Sequence, residues 1–360
     1  MNGLPYGTIN AIILCPPFND PGGVAFYYRL VKKYFDSNRV SLNFYHTGKY
    51  PGNSSHTNRV YKTIVDVIVL GKLCSKYDLV IFNPSLDPKA VIRDGFFHFV
   101  VKRLHQKKTI VFFHGWKQNF EAIIDCYYGK IFFKHIFNAN RICVLSKSAK
   151  NKLISWGYNS QSINTETTVY EYQGTEGERD ILNILFLSRF TRQKGCIEAI
   201  QSIEILIKQF PKLKLYMVGD GEMTAELRKY VMEKKLSNNV FFTGYLHGKE
   251  KTLFLKKCSI LIFPTYSEGM PITILESMGM GLAIVTRPVG GIPDIITEGE
   301  NGFLIDSHDP NEFASVIKKL LQDPRLLNYI SNKNFQTAKD NFEIRNVVKR
   351  LERLYLETAQ

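Results

Sequence analysis

The sequence predicts an α/β protein of two doubly wound halves, and three observations carry that prediction. Short apolar runs alternate with longer helix-compatible segments along the chain, the pattern of parallel sheets covered on both faces. The alternation breaks once, at 165–180, where Thr, Glu and Gly crowd together with little apolar content. The chain's 360 residues exceed one ordinary core, so two domains are expected.

In the first half, a buried strand at 8–15 is closed by Pro16-Pro17, and Gly22-Gly23 opens a helix at 24–35. Strand-like runs recur at 40–45, 78–82, 109–113 and 141–145, with helices near 57–75, 88–107, 120–138 and 147–156. The second half places strands at 182–188, 214–218, 240–242, 258–263 and 282–286. Its helices fall at 195–209, 222–235, 249–257, 271–279 and 310–322. The domains are expected at 1–170 and 175–340, with a final helix in 341–360 packing back onto the first. Doubly wound folds bind ligands at the carboxyl ends of their strands, so the site is expected in a cleft between the halves.

Composition narrows the class. An apolar fraction of 44% supports globular cores. No uninterrupted apolar run reaches the roughly 18 residues of a spanning helix, and residues 1–6 lack the basic start of a secretory signal. Cys15, Cys74, Cys126, Cys143, Cys196 and Cys258 are scattered, which suits reduced thiols in a cytosolic protein. Charge is uneven: residues 1–170 hold 22 Lys and Arg against 9 Asp and Glu, leaving the rest nearly neutral. An anionic partner for the first half follows, whether membrane headgroups, a lipid-linked phosphate or nucleic acid.

Four loops carry the chemistry. Arg189 and Lys194 stand five positions apart just before a helix; such cations beside free helix N–H groups suit a diphosphate. Gly219-Asp220-Gly221 forms a tight turn whose glycines permit close backbone approach. The stretch 264–276 puts Glu268 in a turn, Pro271 in the first helical turn and Glu276 inside the helix. Gly290-Gly291 lies within the fourth loop, 287–294, ahead of a helix started by Pro293. Each alone also reads as an ordinary solvated connection.

The order and spacing of Ser-Arg-Phe-Thr-Arg-Gln-Lys-Gly, Val-Gly-Asp-Gly, Ser-Glu-Gly-Met-Pro-Ile-Thr-Ile-Leu-Glu and Gly-Gly-Ile-Pro-Asp resemble the second domain of family-four retaining glycosyltransferases. That family has the GT-B architecture, two Rossmann-like domains facing across a cleft. The resemblance is strong over 182–322; across 1–160 it rests on Gly22-Gly23, His114-Gly115 and the run 144–153. It implies that Arg189 and Lys194 grip the donor diphosphate, Glu276 the ribose hydroxyls and Glu268 the donor-sugar hydroxyls. Gly219, Gly221, Gly269, Met270, Pro271 and Ile272 are placed with the donor, Gly22 and Gly23 close over the phosphates, and His114 lies near the anomeric carbon. Neither carboxylate is a general base, since a diphosphate oxygen takes the acceptor proton in this scheme. The Asn-Gly-Ile/Val-Asp element that usually precedes the second domain is missing.

The implied function is metal-independent, retaining transfer from a nucleotide-diphosphate sugar to a sugar acceptor, lipid-linked, in cell-surface polysaccharide or glycoconjugate synthesis. No cofactor is expected: no Asp-x-Asp stands at a strand end to hold a metal. Aromatic residues interleave with Lys and Arg at 24–39, 94–108 and 127–141, which suits an anionic interface, so a cytoplasmic, peripherally membrane-associated protein is expected. A sugar-nucleotide 2-epimerase of the same fold and a basic nucleic-acid-binding protein are the competing readings. The Arg189/Lys194 and Glu268/Glu276 set favours transfer, and no base-reading motif favours nucleic acid.

Overall fold

The computed structural model describes residues 8–20, 22–47, 69, 71–73, 75–174 and 179–360. The helix expected near 57–75 lies almost wholly outside them, as does Cys74. The chain divides into two compact units, Met1–Thr167 with Ile344–Gln360, and Thr168–Glu343.

The first unit runs β1 (Ile9–Cys15), α1 (Gly23–Tyr34), β2 (Val40–His46), β3 (Leu79–Phe82), β4 (Ser85–Leu86), α2 (Pro88–Leu104), β5 (Lys108–Phe113), β6 (Gly115–Trp116), α3 (Gln118–Ile124), α4 (Tyr127–Ile136), β7 (Arg141–Val144), α5 (Lys147–Ser155) and β8 (Ile163–Thr165). The second runs β9 (Asn183–Leu187), α6 (Cys196–Leu206), β10 (Lys214–Val218), α7 (Thr224–Glu233), β11 (Val240–Gly244), α8 (Gly248–Lys257), β12 (Ile260–Phe263), α9 (Ile272–Gly279), β13 (Ala283–Thr286), β14 (Gly302–Leu304), α10 (Pro310–Gln322) and α11 (Pro324–Asn341). The chain then returns to the first unit as α12 (Ile344–Ala359).

Each unit is built on a parallel sheet of six strands, ordered β2-β1-β3-β5-β7-β8 and β11-β10-β9-β12-β13-β14; β4 and β6 form a separate pair. The central strands are apolar along their length: Leu79–Phe82 and Ile260–Phe263 are wholly buried, as sheets covered on both faces require. Three helices start on an Asp-Pro pair. Asp87 accepts from Ala90 N at 3.1 Å, Asp309 from Asn311 N at 2.9 Å and Asp323 from Leu326 N at 3.0 Å. Proline in the first turn gives up no hydrogen bond there.

Several expectations change. The single helix expected over 120–138 is two: Asp125 ends α3 and Cys126 starts α4, its Sγ accepting from Gly129 N at 3.2 Å. Pro271 is the N-cap of α9, with extended ψ of 119°, so the helix begins one residue later than expected. The short strands β8 and β14 and the separate helix α11 complete the two alternations. In the 165–180 stretch, Val169 and Tyr170 are fully buried, and Tyr170 N donates to Phe342 O at 3.2 Å within the second unit. Residues 175–178 lie outside the described ones.

α12 covers α1 and strands β1, β2, β3 and β5. It buries Ile344, Val347, Val348, Leu351, Leu354, Tyr355 and Thr358, a stripe of helical spacing that faces the core. Ser37 Oγ donates to Glu352 Oε1 at 2.6 Å and fixes its rotation. α1 beneath it buries Tyr27 and Tyr28 completely. Their rings are core rather than interface, which removes α1 from the three segments read as surface-seeking.

Buried His98 gives the fold a pH dependence. Ile136 O, which only accepts, lies 2.6 Å from Nδ1, so Nδ1 carries the proton; Nε2 then accepts from Thr109 Oγ1 at 3.0 Å. A second proton would place a charge in a desolvated site, and burial pushes the ring down to about 4. The unfolded ring takes its proton near pH 6.5, so stability is lost as pH falls from about 6.5 to about 4. By pH 5 the loss is about 2 kcal/mol. A His98→Gln variant is expected to flatten melting temperature against pH between 7 and 5; an unchanged slope would refute it.

Candidate functional site

The second sheet has its switch point between β9 and β12. The chain leaves β9 toward β10 and β11, and leaves β12 toward β13 and β14. Connections departing to opposite sides open a crevice at the carboxyl ends of the strands. The loops after these two strands, 188–195 and 264–271, border it.

Backbone contacts tie the two loops together. Tyr266 N donates to Gln193 O at 2.9 Å, and Thr265 Oγ1 lies 3.2 Å from the same carbonyl. Gly195 has φ +70°, and a Cβ there would stand 2.2 Å from Pro264 O. Only glycine admits that approach. Held this way, Lys194 Nζ donates to Glu268 Oε1 at 2.5 Å, and Thr265 Oγ1 donates to the same oxygen at 3.0 Å. The two ionic side chains keep 18% and 11% of their exposure, so their attraction is less screened than that of a surface pair. Arg189 is exposed and forms no ion pair among the described residues. The N-caps of α6 and α9, Gly195 and Pro271, offer no side-chain cap, leaving first-turn N–H groups for an anion.

Glu276, one turn into α9, has a partner that the sequence reading missed. Lys251 of α8 donates to both its oxygens, at 2.6 and 2.8 Å. Each carboxylate expected to hold the donor is thus engaged by a lysine from another element. Gly269 and Ile272 are half-buried, whereas Met270 and Pro271 are buried; Met270 is anchored by Thr168 Oγ1 donating to its carbonyl at 3.2 Å.

The glycine loops have structural reasons of their own. Gly290 has φ +60°, and a Cβ on it would lie 1.9 Å from Glu268 O. Gly291 N donates to Gly269 O at 2.6 Å. The fourth loop is therefore the floor that fixes Glu268 and Gly269. Gly219 and Gly221 admit the backbone of the first loop: added Cβ atoms would meet Ser188 O at 1.8 Å and Phe190 O at 2.5 Å. What approaches these glycines is the loop that carries Arg189.

Gly22, Gly23 and His114 belong to the first unit. Gly22 is the exposed N-cap of α1, its N–H donating to Asp20 Oδ1 at 2.8 Å, and Gly23 is exposed beside it. His114 follows β5, stacked on Phe112 with centroids 3.9 Å apart. Asn83 orients it. Asn83 Nδ2 donates to Leu14 O at 2.8 Å, so its Oδ1 accepts, from Tyr28 OH at 2.5 Å and from His114 Nε2–H at 3.1 Å. Burial pushes the His114 ring down to about 3, so it stays neutral with Nδ1 an acceptor. Beside Asn83, a cavity of about 220 Å³ opens at the switch point between β1 and β3, lined by Asp20, Thr47, Arg93 and Asp94. Buried Asp94 holds Arg93 at 2.6 and 2.9 Å. Burial raises its carboxyl above the usual range, opposed by that guanidinium.

Doubly wound units of this kind, with loops of this order at the switch point, define a protein of the GT-B fold. Residues 176–337 match the model of the glycosyl transferases group 1 family. An uncharacterized glycosyltransferase of Methanocaldococcus jannaschii is 27% identical over 238 residues, covering 64% of this chain and 64% of that protein. The amylovoran biosynthesis glycosyltransferase of Erwinia amylovora is 25% identical over 229 residues, covering 60% of this chain and 56% of its own length. The chain thus spans less than two thirds of either relative. Among solved structures, Anabaena HepE in complex with UDP-glucose matches with a TM-score of 0.70 at 15% identity, covering 97% of this chain and all of that one. At that identity the likeness is one of fold.

Proposed function

We propose that this protein is a retaining glycosyltransferase that moves a sugar from a nucleotide-diphosphate donor to a sugar acceptor. The observation that carries the reading is the Lys194–Glu268 pair at 2.5 Å in the β9/β12 crevice, with Arg189 on the same loop as Lys194. Glu268 orients the donor sugar, and Lys194 shares its remaining N–H donors with the diphosphate. Arg189 and the open N–H groups of α6 and α9 complete the neutralisation. Negative charge grows on the diphosphate as the anomeric bond breaks, so these fixed donors act most strongly in the transition state. Glu276, set by Lys251, accepts from the ribose hydroxyls. His114, neutral through the working pH range, presents an acceptor nitrogen and no charge.

In this reading Arg189 and Lys194 take the part of a metal, and turnover is expected to persist with a chelator present. The acceptor's hydroxyls enter the first unit's cavity, where Asp94 and Asp20 accept and Arg93 donates. A lipid-diphosphate-linked glycan acceptor, a role in cell-surface polysaccharide or glycoconjugate synthesis and peripheral attachment to the inner face of a membrane fit the basic first unit. Among the described residues, no helix is long and apolar enough to cross a membrane.

A thermal-shift screen of sugar nucleotides, beginning with UDP-sugars, tests the donor. A ligand at a hundredfold excess over Kd stabilises the folded state by about 2.7 kcal/mol. No shift with any sugar nucleotide would overturn the reading, and isomerised donor without transfer would select the epimerase.

A further inference from the structure

The first unit leaves one surface apolar where a water-facing surface is polar. Tyr127, Tyr128, Ile131 and Phe132 on α4 and Ile123 on α3 are 52–81% exposed. Ile92 and Phe96, one turn apart on α2, are 69% and 51% exposed. Among the described residues, these seven and Ile154 are the exposed large apolar side chains of that unit, whereas those of the second unit are spread over several elements. α2 and α4 are packed neighbours: Phe99 lies 5.5 Å from the His135 ring, and a Cβ on Gly95 would meet Ile136 at 2.7 Å. Patches of this kind mark interaction surfaces.

The patch is rigidly mounted. α4 buries Phe133 and Ile136 on its inner side, with Phe133 stacked on Phe113 at 5.9 Å. The turn between α3 and α4 is pinned where Asp125 accepts from Lys152 Nζ at 2.8 Å and Trp156 Nε1 at 2.9 Å. The helix is therefore apolar on its packed face and again on its open face.

Charge identifies what covers it. Residues 87–152 hold 13 Lys and Arg against 4 Asp and Glu. All four carboxylates are occupied: Asp87 caps α2, Asp94 holds Arg93, and Glu121 and Asp125 hold Lys152. The field around the patch is positive. Apolar and tyrosine side chains set among cations match an anionic bilayer surface, where tyrosines settle at headgroup depth and lysine stems bend back to the phosphates.

We propose that the α2–α4 face is the membrane-seating surface, with Tyr127, Tyr128, Ile131 and Phe132 entering the boundary between headgroups and acyl chains. This deepens the membrane part of the proposed function and rests on it; donor binding, in the second unit, is measured separately. The full chain is floated with vesicles of equal parts phosphatidylglycerol and phosphatidylcholine, and with phosphatidylcholine alone. The expected result is binding to the anionic vesicles, weakened at least tenfold by added salt or by the double change Tyr128→Ser with Ile131→Ser, a variant that melts as the parent does. Lys89→Gln with Lys117→Gln is expected to weaken it on anionic vesicles alone. No binding to anionic vesicles, or binding indifferent to the Tyr128/Ile131 change, would overturn the proposal. So would a dimer in sedimentation that the same change disperses, since the patch would then join two copies. The donor thermal shift is expected to persist in every variant, so its loss in the parent chain would strike the donor reading instead.

Discussion

Lys194→Ala is expected to lower kcat by about 10²–10³-fold, the scale seen when one preorganised donor to transition-state charge is removed. The lysine sits in a sheltered crevice, 2.5 Å from Glu268 and 18% exposed along its side chain. Its loss deprives the leaving diphosphate of a fixed charge and leaves Glu268, among the described residues, with only the Thr265 hydroxyl at 3.0 Å. A partly buried carboxylate stripped of its cation costs stability as well, about 1–3 kcal/mol. The two effects separate in the double variant Lys194→Ala with Glu268→Gln. Neutralising the orphaned carboxylate is expected to restore the melting temperature and leave nucleotide release as slow as before. Glu276→Ala is expected to lose most activity by another route, through the ribose. Wild-type turnover in Lys194→Ala and Glu276→Ala would remove the site assignment.

The alternation and the loops were legible in the sequence because their signals are local. Gly195, Gly219 and Gly290 stand where left-handed backbone or close approach demands them, and Pro88, Pro310 and Pro324 mark helix starts. What was not legible is tertiary or nearly featureless. Lys251 meets Glu276 from a helix 25 residues earlier, in a stretch that also holds Lys249, Lys256 and Lys257. Nothing local singles it out. Asn83 is one polar residue after a buried strand, and its role exists only because Leu14, Tyr28 and His114 converge on it. The break between α3 and α4 lacks glycine or proline at the junction and rests on a cysteine cap. α1 shows the opposite failure. Its tyrosines beside lysines read as surface-seeking, and only packing under α12 reveals that one face is core. The same pattern in α4 leaves Tyr127, Tyr128 and Phe132 in the open, so periodicity cannot distinguish the two helices without the neighbours.

Gly290→Ala tests whether the fourth loop positions the chemistry without touching the donor. Two penalties would act at once. A positive φ of 60° costs an alanine about 1 kcal/mol, and the new methyl would stand 1.9 Å from Glu268 O, so the 268–269 backbone must move. Gly299 supplies the control, with φ +74° and nothing within 4 Å of an added Cβ. Gly299→Ala is expected to lower stability by the strain alone and keep full turnover. Gly290→Ala is expected to lower kcat by about 100-fold, because displacing a positioning group by about 1 Å costs that much. Donor affinity is expected to fall less, since Glu276 and Lys251 are held by other elements. Equal turnover in the two variants would mean that the Gly290 loop only closes the fold, and that Glu268 keeps its place through Lys194 and Thr265 without it.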